Sequence, residues 1–289
     1  RSTHLYSSAA SDVYKRQIYC KMIKYTLITG ASSGIGLEMA KVCAEKGMNL
    51  LLISLPKEDL EAKSISISTK YKIKAKYFEC DLTEISEIND LIKWVEDNGF
   101  NVNFLINNAG FGGTMSFDEM GEEYINKMID LNIKATTHVM NKFLPLLKSN
   151  SPSRILNVSS IISNLVAPYK SLYAATKTYV INLSLSLAYE LREHGISVSV
   201  LLPGATPTNK VVSNQIEQGA YAARATVMGA NQVARIAIDK TIKGKIIITT
   251  GIKNRLIRKL ISALPHKFSA LIAINQYKKQ KNNDELNGN

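Results

Sequence analysis

The chain has 289 residues, of which 45% are hydrophobic and 21% charged. That composition is globular and excludes a disordered chain, a collagen-like fibre and a disulfide scaffold, and the length allows one large domain or two small ones. Thirty-six basic residues against 24 acidic ones give a net charge of +12, to which Arg1, Lys15, Arg16 and Lys21 contribute against Asp12. A surplus of this size bears on solubility and anionic ligands rather than on fold, and it does not imply nucleic acid.

Cys20, Cys43 and Cys80 form no CxxC or CxxH spacing, so neither a disulfide framework nor a zinc site is expected. The four histidines, His4, His138, His194 and His266, are scattered, and no metal is expected. No uncharged apolar run approaches the roughly 20 residues that cross a bilayer. Residues 1–21 are rich in Ser and Ala and lack the apolar core of a secretory signal. They read as a non-native or disordered leader, with Met22 as the natural start and a cytoplasmic location.

From Met22 onward, β-branched and apolar runs at 24–29, 49–54, 74–79, 103–106, 154–159, 196–202 and 245–250 alternate with longer stretches of helical spacing. The first helix places Ile35, Met39, Val42 and Cys43 on one face and stops at Gly47. Leu60 and Ile67 belong to the second helix. Ile85, Ile88, Leu91, Ile92 and Val95 stripe the third, with Trp94 as a core residue. Long helices are expected near 118–149 and 172–194. Seven strands alternating with helices predict an α/β fold, a single doubly wound Rossmann-type domain with a parallel sheet and helices on both faces. Leu50-Leu51-Leu52-Ile53 is apolar on both sides, as a strand buried between two helix layers requires. The catalytic domain is placed at 22–250 and a basic extension at 251–289.

Thr29-Gly30-Ala31-Ser32-Ser33-Gly34-Ile35-Gly36 joins the first strand to the first helix. Backbone amides at a helix N-terminus suit a pyrophosphate. Gly30 permits the tight turn, Gly34 lets a ligand approach the backbone, and Gly36 lets helix and sheet pack closely. Further landmarks follow in order: Asp81-Leu82-Thr83 after the third strand, Asn107-Asn108-Ala109-Gly110 after the fourth, and a helical Asn132. Ser160 ends the fifth strand, Tyr173-Ala174-Ala175-Thr176-Lys177 opens a long helix, and Pro203-Gly204 follows the sixth strand. Tyr173 and Lys177 are four apart on one helical face, so an ammonium could bring a phenol of ordinary pKa near 10 toward the working range.

Together these motifs resemble the short-chain dehydrogenase/reductase family over about 22–250. The resemblance implies hydride transfer between a nicotinamide cofactor and a carbonyl or alcohol. It gives Tyr173 the role of general acid or base. Lys177 then lowers the Tyr173 pKa and holds the nicotinamide ribose, Ser160 orients the substrate carbonyl, and Asn132 maintains a proton path. Ser159 competes for the serine role, and the thirteen-residue spacing to Tyr173 favours Ser160. The same resemblance sets Asp81 and Leu82 against the adenine, with Asn107, Asn108, Ala109 and Gly110 against the adenosine ribose. It sets Pro203, Gly204, Thr206 and Thr208 against the carboxamide or a phosphate.

The end of the second strand discriminates between dinucleotides, because an acid there reads the ribose 2′-OH of NAD while an arginine pairs with the 2′-phosphate of NADP. Neither Ser54 nor Leu55 is acidic, and Ser32, Ser33 and Ser54 offer hydroxyls with Lys57 nearby. NADP(H) is therefore favoured over NAD(H).

The segment from Pro207 to about Gly229 takes the place of the family's substrate loop. Beyond it, Ile252, Leu256, Ile257, Leu260, Ile261, Leu264, Phe268, Leu271 and Ile274 interleave with basic residues, and no acid occurs from Gly251 to Lys281. Such a stretch packs on the domain or a partner subunit, roofs a pocket, or lies on an anionic membrane, the last being the less favoured. A hydrophobic carbonyl substrate, action as a reductase and a homodimer complete the expectation. Two readings stay open beside it: a dinucleotide-binding sensor without turnover, and a peripheral membrane protein anchored by its tail.

Overall fold

The computed structural model describes residues 23–207 and 227–256, with residues 267–268, 270–271 and 274–275 beyond them. Seven strands form one parallel sheet: β1 Lys24–Thr29, β2 Asn49–Ser54, β3 Ala75–Glu79, β4 Asn101–Asn107, β5 Ser153–Val158, β6 Ile196–Leu202 and β7 Ile247–Thr249. Their order is β3-β2-β1-β4-β5-β6-β7, and every neighbouring pair is parallel. The helices are α1 Gly34–Glu45, α2 Leu60–Tyr71, α3 Ile85–Asp97, α4 Glu122–Ile129, α5 Thr136–Ser149, α6 Ser171–Glu190 and α7 Ala230–Ile242.

The period of two along each strand divides the core between the two faces of the sheet. Leu27, Leu51, Leu105, Ile155 and Val198 point to one side, where α3 supplies Ile88, Leu91 and Val95 and α5 supplies Val139, Phe143 and Leu147. Ile28, Leu50, Leu52, Ile106, Leu156 and Leu201 point to the other, against Met39, Val42 and Cys43 of α1 and Val233, Ala237 and Ile238 of α7. Each such buried aliphatic side chain contributes about 1.5–3 kcal/mol against its exposed state, which is why the strands read as continuous apolar runs.

Several details differ from expectation. β7 is three residues long rather than six, β4 begins two residues earlier, and Ile85 is exposed because it opens α3 instead of sitting on its inner stripe. Trp94 is partly buried and packs against Phe78 and Phe100, with ring centroids 5.2 and 5.0 Å apart. The helical stretch expected near 118–149 runs from Glu122 to Ser149 through a π-helical turn, Asp130–Ala135. Such turns re-aim a side chain within a helix, and this one carries Asn132.

The sheet order reverses between β1 and β4. In an open parallel sheet that switch point leaves a crevice beyond the C-terminal strand ends, where ligands bind. The glycine turn, the Asn107–Gly110 turn and Ser160 all lie along this edge.

Candidate active site

The glycine turn is built by its missing side chains. Gly30 and Gly34 have φ of 62° and 54°, left-handed values that favour glycine. A Cβ on Gly36 would stand 2.1 Å from the Gly30 carbonyl oxygen, so α1 can approach the turn this closely only with glycine there. The Asn108 side chain locks the turn by donating to the carbonyls of Thr29 and Gly30 at 3.1 and 3.0 Å. Thr29 Oγ1 in turn accepts from the amides of Asn108 and Ala109 at 3.0 and 3.1 Å. Ser33 is the N-cap of α1 but makes no side-chain cap bond, and the first turn holds no acidic residue. The first amides of α1 thus stay available to an outside anion, so the turn fits a dinucleotide pyrophosphate.

Ser160, Tyr173 and Lys177 sit on the other side of the crevice. Ser160 stands near enough to the phenol of Tyr173 to lower its pKa, and its Oγ accepts from the Ile162 amide at 3.4 Å. Ser159 is buried and donates to the Lys177 carbonyl at 2.7 Å, so it holds the scaffold while Ser160 meets the phenol. Lys177 is 5% exposed; its Nζ donates to the Val158 carbonyl at 3.1 Å and lies 5.9 Å from the centre of the Tyr173 ring. Burial pulls Lys177 down to about 8.

The expected lowering of Tyr173 by Lys177 needs correction. Burial pushes the phenol above its ordinary value, and what opposes that rise is the hydrogen bond from Ser160. The Lys177 ammonium lies 5.9 Å from the ring centre and hydrogen-bonds the Val158 carbonyl rather than the phenol.

Asn132 is fully buried in its π-helical turn. Its Oδ1 accepts from the Phe111 amide at 3.0 Å, and its Nδ2 donates to the Phe111 carbonyl at 2.9 Å and to Thr176 Oγ1 at 3.1 Å. A Cβ on Gly110 would stand 2.8 Å from Asn132 Oδ1 and 3.0 Å from Lys177 Nζ. Gly110, Asn132 and Lys177 therefore converge on one polar spot.

The remaining expected residues divide. Asp81 Oδ1 accepts from the amide and hydroxyl of Thr83 at 2.9 and 2.8 Å, which orients the carboxylate just past β3, beside the buried Leu82. Asn107 has a structural task, donating to Asn157 Oδ1 at 2.9 Å while Asn157 donates to Ser184 Oγ at 2.8 Å. Pro203 accepts from the Ile161 amide at 3.0 Å, tying the β6 turn to the Ser160 loop, and Thr206 Oγ1 donates to the Gly204 carbonyl at 3.1 Å. Thr208 and most of the expected substrate loop lie outside the described residues. Ile35 is half-buried and Ser33 exposed at the start of α1. Ser54 is buried with its hydroxyl on the Leu55 carbonyl at 3.2 Å, and Lys57 is exposed.

Two site residues escaped the sequence reading. Gly112 lies against the Tyr173 ring, where a Cβ would meet three ring carbons at 2.5–2.8 Å. The doubled glycine Gly112-Gly113, one residue beyond Asn107–Gly110, was the available signal. The second is Glu58, whose carboxylate accepts a hydrogen bond from Ser32 of the glycine turn. It stands four residues past β2, where the pattern carries no signal.

A doubly wound sheet whose crevice carries a glycine turn opposite a Ser, Tyr, Lys and Asn group is the architecture of a dinucleotide-linked oxidoreductase. The sequence model of the short chain dehydrogenase family matches residues 24–219, and the chain belongs to that family. It is 31% identical over 185 residues to an oxidoreductase of Staphylococcus epidermidis, covering 64% of this chain and 79% of that protein. A D-beta-hydroxybutyrate dehydrogenase of Rhizobium meliloti is 29% identical over 197 residues, covering 68% and 76% respectively. Among solved structures, a short-chain dehydrogenase from Sphingobium yanoikuyae in complex with NADPH superposes with a TM-score of 0.71 at 25% identity, over 84% of this chain and 97% of that one. The bulky-bulky ketone specific alcohol dehydrogenase from Comamonas testosteroni gives 0.69 at 25% identity, over 84% and 95%.

Proposed function

We propose that the protein interconverts a ketone or aldehyde and its alcohol, with Tyr173 as general acid in reduction and general base in oxidation. The observation that carries this is the convergence of Ser160, Tyr173 and the buried Lys177 on the strand edge that also bears the glycine turn. A nicotinamide dinucleotide, when bound, supplies or accepts the hydride. The chain's own residues handle the oxygen and its proton. Tyr173 passes a proton to or from the substrate oxygen, and Ser160 orients that oxygen and the phenol together. Lys177 carries positive charge beneath the phenol, and Asn132 with Gly110 extends the polar path inward.

An apolar flank to the carbonyl is part of this reading. The loop that presses Gly112 on Tyr173 also carries Phe111, whose ring meets Tyr124 edge-on at 5.7 Å. A homodimer through the long helices belongs to it as well, supported by Tyr189 on α6, which stands 70% exposed. Among the described residues no helix is long and apolar enough to cross a membrane.

Replacement of the proton donor tests the reading. Tyr173→Phe is expected to lower turnover by about 10²–10⁴-fold while leaving dinucleotide affinity within a few-fold. Retained turnover with a panel of ketones and alcohols would remove Tyr173 from the chemistry.

A further inference from the structure

We infer that Glu58 reads the adenosine ribose and makes the site selective for NAD(H) over NADP(H). This rests on the dinucleotide reading above and reverses the preference that the strand end suggests. Four observations carry it. First, the Glu58 carboxylate accepts from the hydroxyl of Ser32, which is 6% exposed and stands between Gly30 and Gly34 in the phosphate turn. A serine has a single hydroxyl proton, and here it is committed to a carboxylate rather than left for a phosphate.

Second, the loop is bent to achieve this. Lys57 and Asp59, on either side of Glu58, have φ of 67° and 52°. Left-handed backbone at non-glycine residues is uncommon, least so for Asp, and costs free energy that the surroundings must offset. Third, Lys63 Nζ donates to the Glu58 backbone carbonyl, which pins the loop without taking up the carboxylate. No lysine, arginine or histidine among the described residues forms an ion pair with that carboxylate.

Fourth, the strand end itself offers nothing to a 2′-phosphate. The Ser54 hydroxyl is turned onto the Leu55 carbonyl, and Leu55 is 43% exposed. In this architecture the group beside the glycine turn that meets the ribose is an acid accepting from the 2′-OH. Glu58 reaches that place from the loop instead of from the strand end. A ribose diol can donate to the carboxylate, whereas a phosphate has no proton to give near neutral pH and is repelled by it.

The test is a fluorescence titration of the full chain with NADH and with NADPH, for the parent and for Glu58→Gln. The parent is expected to bind NADH at least about ten-fold more tightly, the scale of one charge-assisted hydrogen bond. Glu58→Gln is expected to shrink that ratio by about ten-fold, mostly through tighter NADPH binding. Tighter NADPH binding by the parent, or a ratio unchanged in Glu58→Gln, overturns the inference and leaves the oxidoreductase reading standing. Failure of the folded parent, verified by its melting transition, to bind either dinucleotide overturns both. Should the glutamine variant not fold, Glu58→Ala carries the same comparison.

Discussion

Lys177 is buried beside Tyr173, and burial pulls its pKa to about 8. An unfolded lysine titrates near 10.4. Between those values the unfolded chain holds a proton that the folded chain has released, so Lys177 makes stability rise with pH across that window. Below about pH 8 both states are protonated, and the cost of burying the charge is fully present. Lys177→Met is accordingly expected to be more stable than the parent at pH 7, by about 1–3 kcal/mol, part of the gain being offset by loss of the bond to the Val158 carbonyl. The difference should shrink above pH 8 and close near pH 10. Thermal melts of both proteins at pH 7, 8, 9 and 10 check this, and a gap that does not change with pH would mean that the charge is not its source. Activity should fall while stability rises, the trade-off expected where a site holds a strained or desolvated group.

Among elements, the decisive contact is between the β4–α4 loop and α6. Gly112 in that loop touches the Tyr173 ring, and the Met115 amide donates to the Tyr169 carbonyl at 2.8 Å, so the loop is seated on the start of α6. Gly112→Ala puts a methyl group 2.5 Å from a ring carbon, and either the loop or the phenol must move. Turnover is expected to drop by about 10²-fold, the scale on which a 1 Å misplacement acts, with the melting temperature changed by only a few degrees. Steady-state kinetics beside a thermal melt separates the two effects, and wild-type turnover would show that the loop yields freely. This contact also shows where sequence reading stops. The strands were legible because burial on both faces writes Leu50–Ile53 as an unbroken apolar run, and the glycine turn because φ above zero demands glycine at Gly30 and Gly34. Gly112 on Tyr173 and Glu58 on Ser32 join segments 61 and 26 residues apart through loops, where no periodicity relates the partners. The boundaries of β7 and the exposure of Ile85 depend in the same way on what packs alongside, which a one-dimensional pattern does not contain.

At the scale of the whole molecule, the described core lies between β1 and β7. Among the described residues the two hydrophobic clusters together run from Tyr25 to Ile248 and take nothing from beyond β7. The α7 helix completes one face, held to α1 by ion pairs of Arg235 with Glu45 at 2.8 Å and Lys46 with Asp239 at 2.7 Å. After it, Ile252, Leu256, Phe268 and Leu271 are 76%, 59%, 59% and 56% exposed, so these apolar side chains gain little from the fold. Exposed pairs such as those between α7 and α1 are worth less than about 1 kcal/mol each, and the burial of Val233, Ala237 and Ile238 is what secures the helix. A chain ended at Leu256 is therefore expected to melt within about 3 °C of the full chain, a shift equivalent to about 1 kcal/mol for a domain of this size. It should also bind dinucleotide with unchanged affinity. Calorimetry and the same fluorescence titration measure both. A fall of more than about 8 °C would show that the basic stretch covers part of the domain, as a helix packed on it or a roof over the crevice would. Lost dinucleotide binding at an unchanged melting temperature would place that cover over the crevice alone.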